Sequence, residues 1–210
     1  MALEAIENGD FEQARLTFES LHESGDPRGS NGLGVMYVRG QGVERDPERA
    51  VLLFRKAAHM GLRTAQKNLG QMYLDGDGVP QDDAMALRMF RLAAARGDPD
   101  AQFNLGLMHF NGREVEQDHV KAMEWFLAAT TSGNAEVHAY IGHLYRGGYG
   151  VARNYVLAYA WYGMAAALGF ADGPELRDLI ASYLTPSQLE EGQRFARDLW
   201  LEMNGQYAEG

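Results

Sequence analysis

The sequence predicts an all-α solenoid of stacked helix–turn–helix repeats, and three observations carry that reading. A 36-residue period runs through nearly the whole chain: Leu33-Gly34, Leu69-Gly70, Leu105-Gly106 and Ile141-Gly142 recur at that step, as do Phe54, Phe90, Phe126 and Tyr162. Within a unit the apolar residues keep helical spacing, as at Ala65, Leu69 and Tyr73, which form an i, i+4, i+8 stripe. Glycines punctuate each unit at fixed places, with Gly61, Gly97, Gly133 and Gly169 closing them. A regular period of this size marks supersecondary units that cannot bury their apolar faces alone and therefore stack.

The register extends backwards, because Asp10, Ala14, Phe18 and Gly25 sit one period before Asp46, Ala50, Phe54 and Gly61. Residues 1–25 therefore read as a leading half-repeat: a second helix without its full partner, plus a short lead-in. Full units follow at 26–61, 62–97, 98–133 and 134–169, and the repeat region is assigned to 1–173. In the second unit, Gly70 lies inside the first helix, where glycine costs about 1 kcal/mol relative to alanine. Its recurrence implies a compensating gain, expected to be close approach of the second helix's backbone. Asp75-Gly76-Asp77-Gly78 is the turn, since glycine accepts the positive φ that tight turns need. Val79 is expected to plug that turn against the core.

Asp82 stands where an N-cap belongs, and Pro47 follows Asp46 at a first helical position. The second helix is expected to run to about Arg96 with Ala86, Met89, Phe90, Ala93 and Ala94 inward, and Gly97 ends it as the residue past the cap. Met36, Met72 and Met108 keep the repeat spacing and are expected in the core. Beyond Gly169 the pattern changes, and 174–210 reads as a C-terminal cap and tail. It holds one helix over 175–184 and a final helix opened by the capping box Thr185-Pro186-Ser187-Gln188. That last helix is expected to reach about Met203, with Leu189, Phe195, Ala196, Leu199 and Trp200 on its apolar side. Residues 204–210 are expected to fray.

Composition bounds the function. The 210 residues carry a formal charge of −10, which repels phosphate backbones and makes nucleic acid an unfavourable partner. Cysteine is absent, which removes disulfides, zinc–thiolate sites and thiol catalysis. No apolar run of about 18 residues exists, so no membrane insertion is expected. The N-terminal residues show no secretory signal. As it stands the sequence reads as cytoplasmic, and a trimmed signal would place it in the bacterial periplasm.

The ordered pattern Ala-x3-Leu-Gly-x2-Tyr, then Gly-x-Gly-Val, Asp-x3-Ala, Phe/Tyr-x2-Ala-Ala and Gly resembles the Sel-1-like repeat family, a relative of the tetratricopeptide repeat with a longer turn. The resemblance covers about 10–173. Trp161-Tyr162 and the helix at Thr185-Pro186 look like the endings of bacterial members. Departures are His109 for tyrosine, Val137 for alanine, and Arg113-Glu114 in the second half of a Gly-x-Gly turn, which puts the third turn in question. The resemblance implies a right-handed α/α superhelix that binds another protein or peptide through a concave groove, as an adaptor or scaffold. It also leaves open a dedicated inhibitor such as a toxin-neutralising immunity protein, or a scaffold of envelope or exopolysaccharide assembly. Self-association as a homo-oligomer is compatible with each.

Carrying the tetratricopeptide pattern over puts first helices on the concave face. The positions flanking the Leu-Gly pair then become the candidate partner-binding set: Val35, Val38 and Arg39; Lys67, Gln71 and Leu74; Phe103, Leu107 and Phe110; His143 and Arg146. The same register includes Glu136 and Ala139. Phe103, Leu107 and Phe110 would form an apolar patch if exposed together, or core if they pack between first helices. Arg39, Lys67 and Arg146 would form a basic rim suited to a carboxylate-bearing peptide.

No catalytic constellation, metal site or cofactor motif is recognised. His138 and His143 share a helix but lie about 140° apart, and the histidines read as one core substitution, His109, plus surface residues. The glycine-rich turns lack the lysine and serine or threonine of a phosphate loop. The chain is expected not to be an enzyme.

Overall fold

The computed structural model describes residues 2–207, with side chains through residue 203. Among these residues there are twelve α-helices and no strand: α1 (Ala2–Glu7), α2 (Phe11–Glu23), α3 (Pro27–Arg39), α4 (Pro47–His59), α5 (Arg63–Asp75), α6 (Asp83–Ala94), α7 (Pro99–Asn111), α8 (His119–Ala128), α9 (Ala135–Gly147), α10 (Tyr155–Ala167), α11 (Gly173–Ala181) and α12 (Pro186–Tyr207). A 3₁₀ turn, Ala129–Ser132, extends α8. The fold class is all-α, built of helical hairpins. The chain divides into two compact units, Met1–Ala101 and Gln102–Gly210.

Each second helix starts at a carboxylate or carboxamide one period from the next. The side chains of Asp10, Asp46, Asp82, Asp118 and Asn154 accept from the backbone N–H three residues on, at 2.9–3.1 Å. Satisfying an orphan amide in this way fixes where the helix begins. The same residues hold the turn from behind, because the backbone N–H of Asp46, Asp82, Asp118 and Asn154 donates to the carbonyl of Tyr37, Tyr73, His109 and Tyr145. His109 thus serves this bond as well as tyrosine does, since only its main chain is used.

The glycine of each Leu-Gly pair faces a ring, not the backbone that the sequence led us to expect. A Cβ on Gly70 would lie 2.8 Å from the Phe90 ring, and one on Gly106 would lie 2.4 Å from that of Phe126. Phe54 and Tyr162 cover Gly34 and Gly142 likewise. The ring packs against the glycine and is sealed: Phe54, Phe90, Phe126 and Tyr162 are at most 2 % exposed. Burying a ring contributes about 2–3 kcal/mol, more than the propensity cost of a mid-helix glycine.

The interhelix turns use left-handed residues. Gly76 ends α5 at φ 70°, and Gly42, Gly78 and Gly150 follow two residues after such a cap at φ 67–70°. The third turn keeps this shape despite its different sequence, because Glu114 adopts φ 55° where its counterparts are glycines.

At the start of the chain, the lead-in is a short helix, α1, whose Ala5 joins Ala14, Phe18, Leu33 and Met36 in a core cluster. Met72 and Met108 are also buried. At the other end, Thr185 and Gln188 form the reciprocal capping box, with Thr185 N–H to Gln188 Oε1 at 3.0 Å and Gln188 N–H to Thr185 Oγ1 at 3.4 Å. Helix α12 continues to Tyr207, past the expected fraying point, and residues 208–210 of the expected tail lie outside the described residues. No helix among the described residues is long and apolar enough to cross a membrane.

Two substitutions check this account. Asp82→Ala should lower stability by about 0.5–2 kcal/mol in chemical denaturation through loss of the cap. Glu114→Gly should raise it by about 0.5–1 kcal/mol by relieving a left-handed non-glycine residue. An unchanged or lowered stability for the second would mean that the turn stores no such strain.

Candidate functional site

The first helices lie side by side within each unit. In the N-terminal unit the Asn68 side chain of α5 donates to Asn31 of α3 at 3.1 Å. Lys67 reaches Asp100 at 3.4 Å, and Gln71 donates to Asp75 at 2.8 Å. Both expected contact residues are therefore engaged within the chain. Val35, Val38 and Leu74 are half-buried, and Arg39 is exposed. Val35 lines an apolar hollow of about 610 Å³ with Ile6, Phe18, Leu21 and Thr64.

In the C-terminal unit the expected apolar patch divides. Phe103 is only 7 % exposed and belongs to the core cluster of Phe126, Val137, Ile141 and Trp161, so it is a packing residue and not a groove residue. The reason is the size of its neighbours: its ring meets Phe126 and Tyr140, each at 5.8 Å between centroids. Leu107 and Phe110 rest against the same cluster and stay partly open.

Phe110 then lines an open cavity of about 480 Å³ together with Glu136, Ala139, Tyr140, His143, Tyr162, Phe170 and Leu176. Four of these, Phe110, Glu136, Ala139 and His143, stand at positions that the sequence register marked. Four others were missed. Tyr140 stands where earlier units have Gly32, Asn68 and Asn104. Phe170 stands where they have Asp26, Leu62, Asp98 and Asn134, mostly helix-capping residues. Departure from the repeat was the available signal. Phe110 anchors the wall through an edge contact to Tyr140 at 5.5 Å and contacts to His143 at 5.8 Å and His119 at 5.2 Å. Tyr149 closes that ring cluster, 5.3 Å from His119 and 5.6 Å from His143.

Electrostatics differ along the cavity. Burial, helped by the positive charge of Arg146 and by His119, holds the His143 imidazole below its usual value. The ring is neutral at pH 7, and its Nδ1 lies 3.4 Å from Nη2 of Arg146. Accepting from that guanidinium requires the proton on Nε2. Burial raises the Tyr140 hydroxyl, with Glu136 adding to the effect; it raises Tyr162 as well, against the pull of Arg146.

His138 is not the surface residue that the sequence suggested. It is fully buried, with Nδ1 3.2 Å from the Asn134 carbonyl oxygen and its ring 5.7 Å from Trp161. It occupies the repeat position of Ser30 and Gln66, which are buried too. His22 Nδ1 meets Ser30 Oγ at 2.8 Å, an arrangement reminiscent of a nucleophile and its base. A carboxylate would have to orient that base, yet the group beyond His22 is the Lys56 ammonium at 3.4 Å, and Ser30 is 1 % exposed. Among the described residues no group of three or more histidines and carboxylates is placed to hold a metal ion.

Comparison with known proteins adds the following. The Sel1 repeat model matches residues 27–62, 64–98, 99–134 and 135–170. A Sel1 repeat protein from Oxalobacter formigenes is 34% identical, with a TM-score of 0.77 over 84% of this chain and 72% of that one. The antigen c5321 of uropathogenic Escherichia coli, described as protective and as displaying an SLR fold, is 32% identical with a TM-score of 0.82. That alignment covers 90% of this chain but only 41% of the antigen. The immunity protein Pa5087 from Pseudomonas aeruginosa shares the fold at 20% identity and a TM-score of 0.54, over 92% of this chain and 74% of that one. No curated protein matches significantly.

The buried imidazole gives a pH test. Burial depresses the His138 value in the folded chain, whereas the unfolded chain takes up its proton near pH 6.5. Its contribution to stability is therefore complete above about pH 6.5 and is lost as pH falls through the lower folded value. Replacing it with the glutamine of the second unit, His138→Gln, should shrink the drop in melting temperature between pH 8 and pH 5.5. An unaltered drop would place the titrating groups elsewhere.

Proposed function

The chain belongs to the Sel1 repeat family, and from that premise we propose that it is a non-enzymatic scaffold binding a segment of another protein on its first-helix face. Sel1 repeat proteins generally act as protein-interaction scaffolds. The observation that carries the reading here is the cavity walled by Phe110, Ala139, Tyr140, His143 and Tyr162. A hollow of this size, mostly apolar with a few polar groups, suits one large apolar side chain of a partner. Two of its walls, Tyr140 and Phe170, stand where the chain departs from its own repeat.

Two further points support a binding surface. Leu107 and Phe110 remain partly open beside the cavity, and the N-terminal unit has its own apolar hollow around Val35. The inhibitor reading gains nothing specific, since the likeness to Pa5087 extends to the fold alone.

A photoreactive benzophenone residue placed at exposed Glu136 should capture a discrete partner in extracts of the native cell. The same residue at exposed Glu124, on α8, should not. Equal capture at both positions, or none at either, would refute the assignment of this face.

A further inference from the structure

We propose that the same cavity selects its guest by charge order: a basic residue at the Glu136 end, an apolar side chain in the middle and an acidic side chain at the Arg146 end. This rests on the binding face proposed above and adds the chemistry of the guest. Helix α9 presents Glu136, then Ala139 and Tyr140, then His143 to the cavity, and Arg146 stands one turn beyond, against the His143 ring. The ten residue steps from Glu136 to Arg146 span about 15 Å of helix. An extended segment of about five residues covers that length.

The two terminal charges are unspent. Among the described residues, Arg15 pairs with Glu12 and Glu19, Arg28 with Asp26, Arg45 with Asp77 and Lys67 with Asp100. Neither Arg146 nor Glu136 has such a counter-ion there, nor do the exposed Arg39, Arg88 and Arg153; Arg146 differs from these in being half-buried against a cavity-lining ring. The one polar contact of the half-buried Arg146 is the neutral His143 ring, which lines the cavity. A guanidinium held beside a ring and short of a carboxylate is ready to donate to one, because charge-assisted bonds from arginine are the stronger class. His143, with its proton on Nε2, supplies a second donor. At the other end Glu136 is exposed and its carboxylate is free to meet a lysine or arginine. The reversed charge order would set like charges against each other at both ends, which penalises the wrong guest.

The test is to pan a random peptide library displayed on phage against the full chain. The recovered peptides are then synthesised and their contacts mapped by NMR shifts at Tyr140, Phe170 and Leu176. Recovered sequences should carry basic, apolar and acidic residues in that order. Arg146→Gln should weaken them about tenfold. The double variant Glu136→Lys with Arg146→Glu should prefer the charge-reversed peptide. Binding to the unaltered chain should weaken as salt is raised, a readout independent of any variant's folding. Peptides that map to the cavity but ignore salt, charge order and both variants would overturn the charge reading and leave the cavity as a binding site. Peptides that map elsewhere, or none recovered, would overturn both.

Discussion

A ring laid over a glycine closes each hairpin, and much else in the fold depends on that contact. The glycine belongs to the first helix and the ring to the second, twenty residues later. Removing the Cβ lets an aromatic side chain lie against the helix surface, so two helices share a sealed interface without large residues on both sides. The rings of Phe54, Phe90, Phe126 and Tyr162 are nearly inaccessible, so this contact is interior in every unit. The period is thus a packing rule before it is a functional one.

The caps and turns serve the same end. A carboxylate or carboxamide at the head of each second helix satisfies its own helix through the side chain and the preceding turn through the main chain. One residue therefore sets both the start of a helix and the closure of a loop. The main-chain bond explains why His109 substitutes for tyrosine without changing the turn, and Glu114 in a left-handed conformation shows the turn geometry prevailing over the residue's own preference.

The C-terminal cavity forms in part where this regularity lapses. Tyr140, His143 and Phe170 occupy positions held in other units by glycine or asparagine, by valine, glutamine or leucine, and mostly by capping residues. Larger rings at these places prop open a hollow in the C-terminal unit. His138 lapses inward instead, placing an imidazole where a serine or glutamine makes the buried polar contact. The same period therefore produces a core histidine and a cavity histidine five residues apart, and only their different faces on α9 separate them.

Helix order, caps, the turn glycines and family membership were legible in the sequence, because each arises from neighbours within one unit and is repeated four times. The candidate site was legible in part: the register marked Phe110, Glu136, Ala139 and His143, but not Tyr140, Tyr162, Phe170 or Leu176 as walls of one hollow. It also offered Phe103 for the surface and His138 for solvent, and both proved interior. Exposure at these positions is decided by the bulk of side chains brought together from several helices, as when Phe126 and Tyr140 close over Phe103. That is a property of the packed structure, which a repeat of local preferences does not encode.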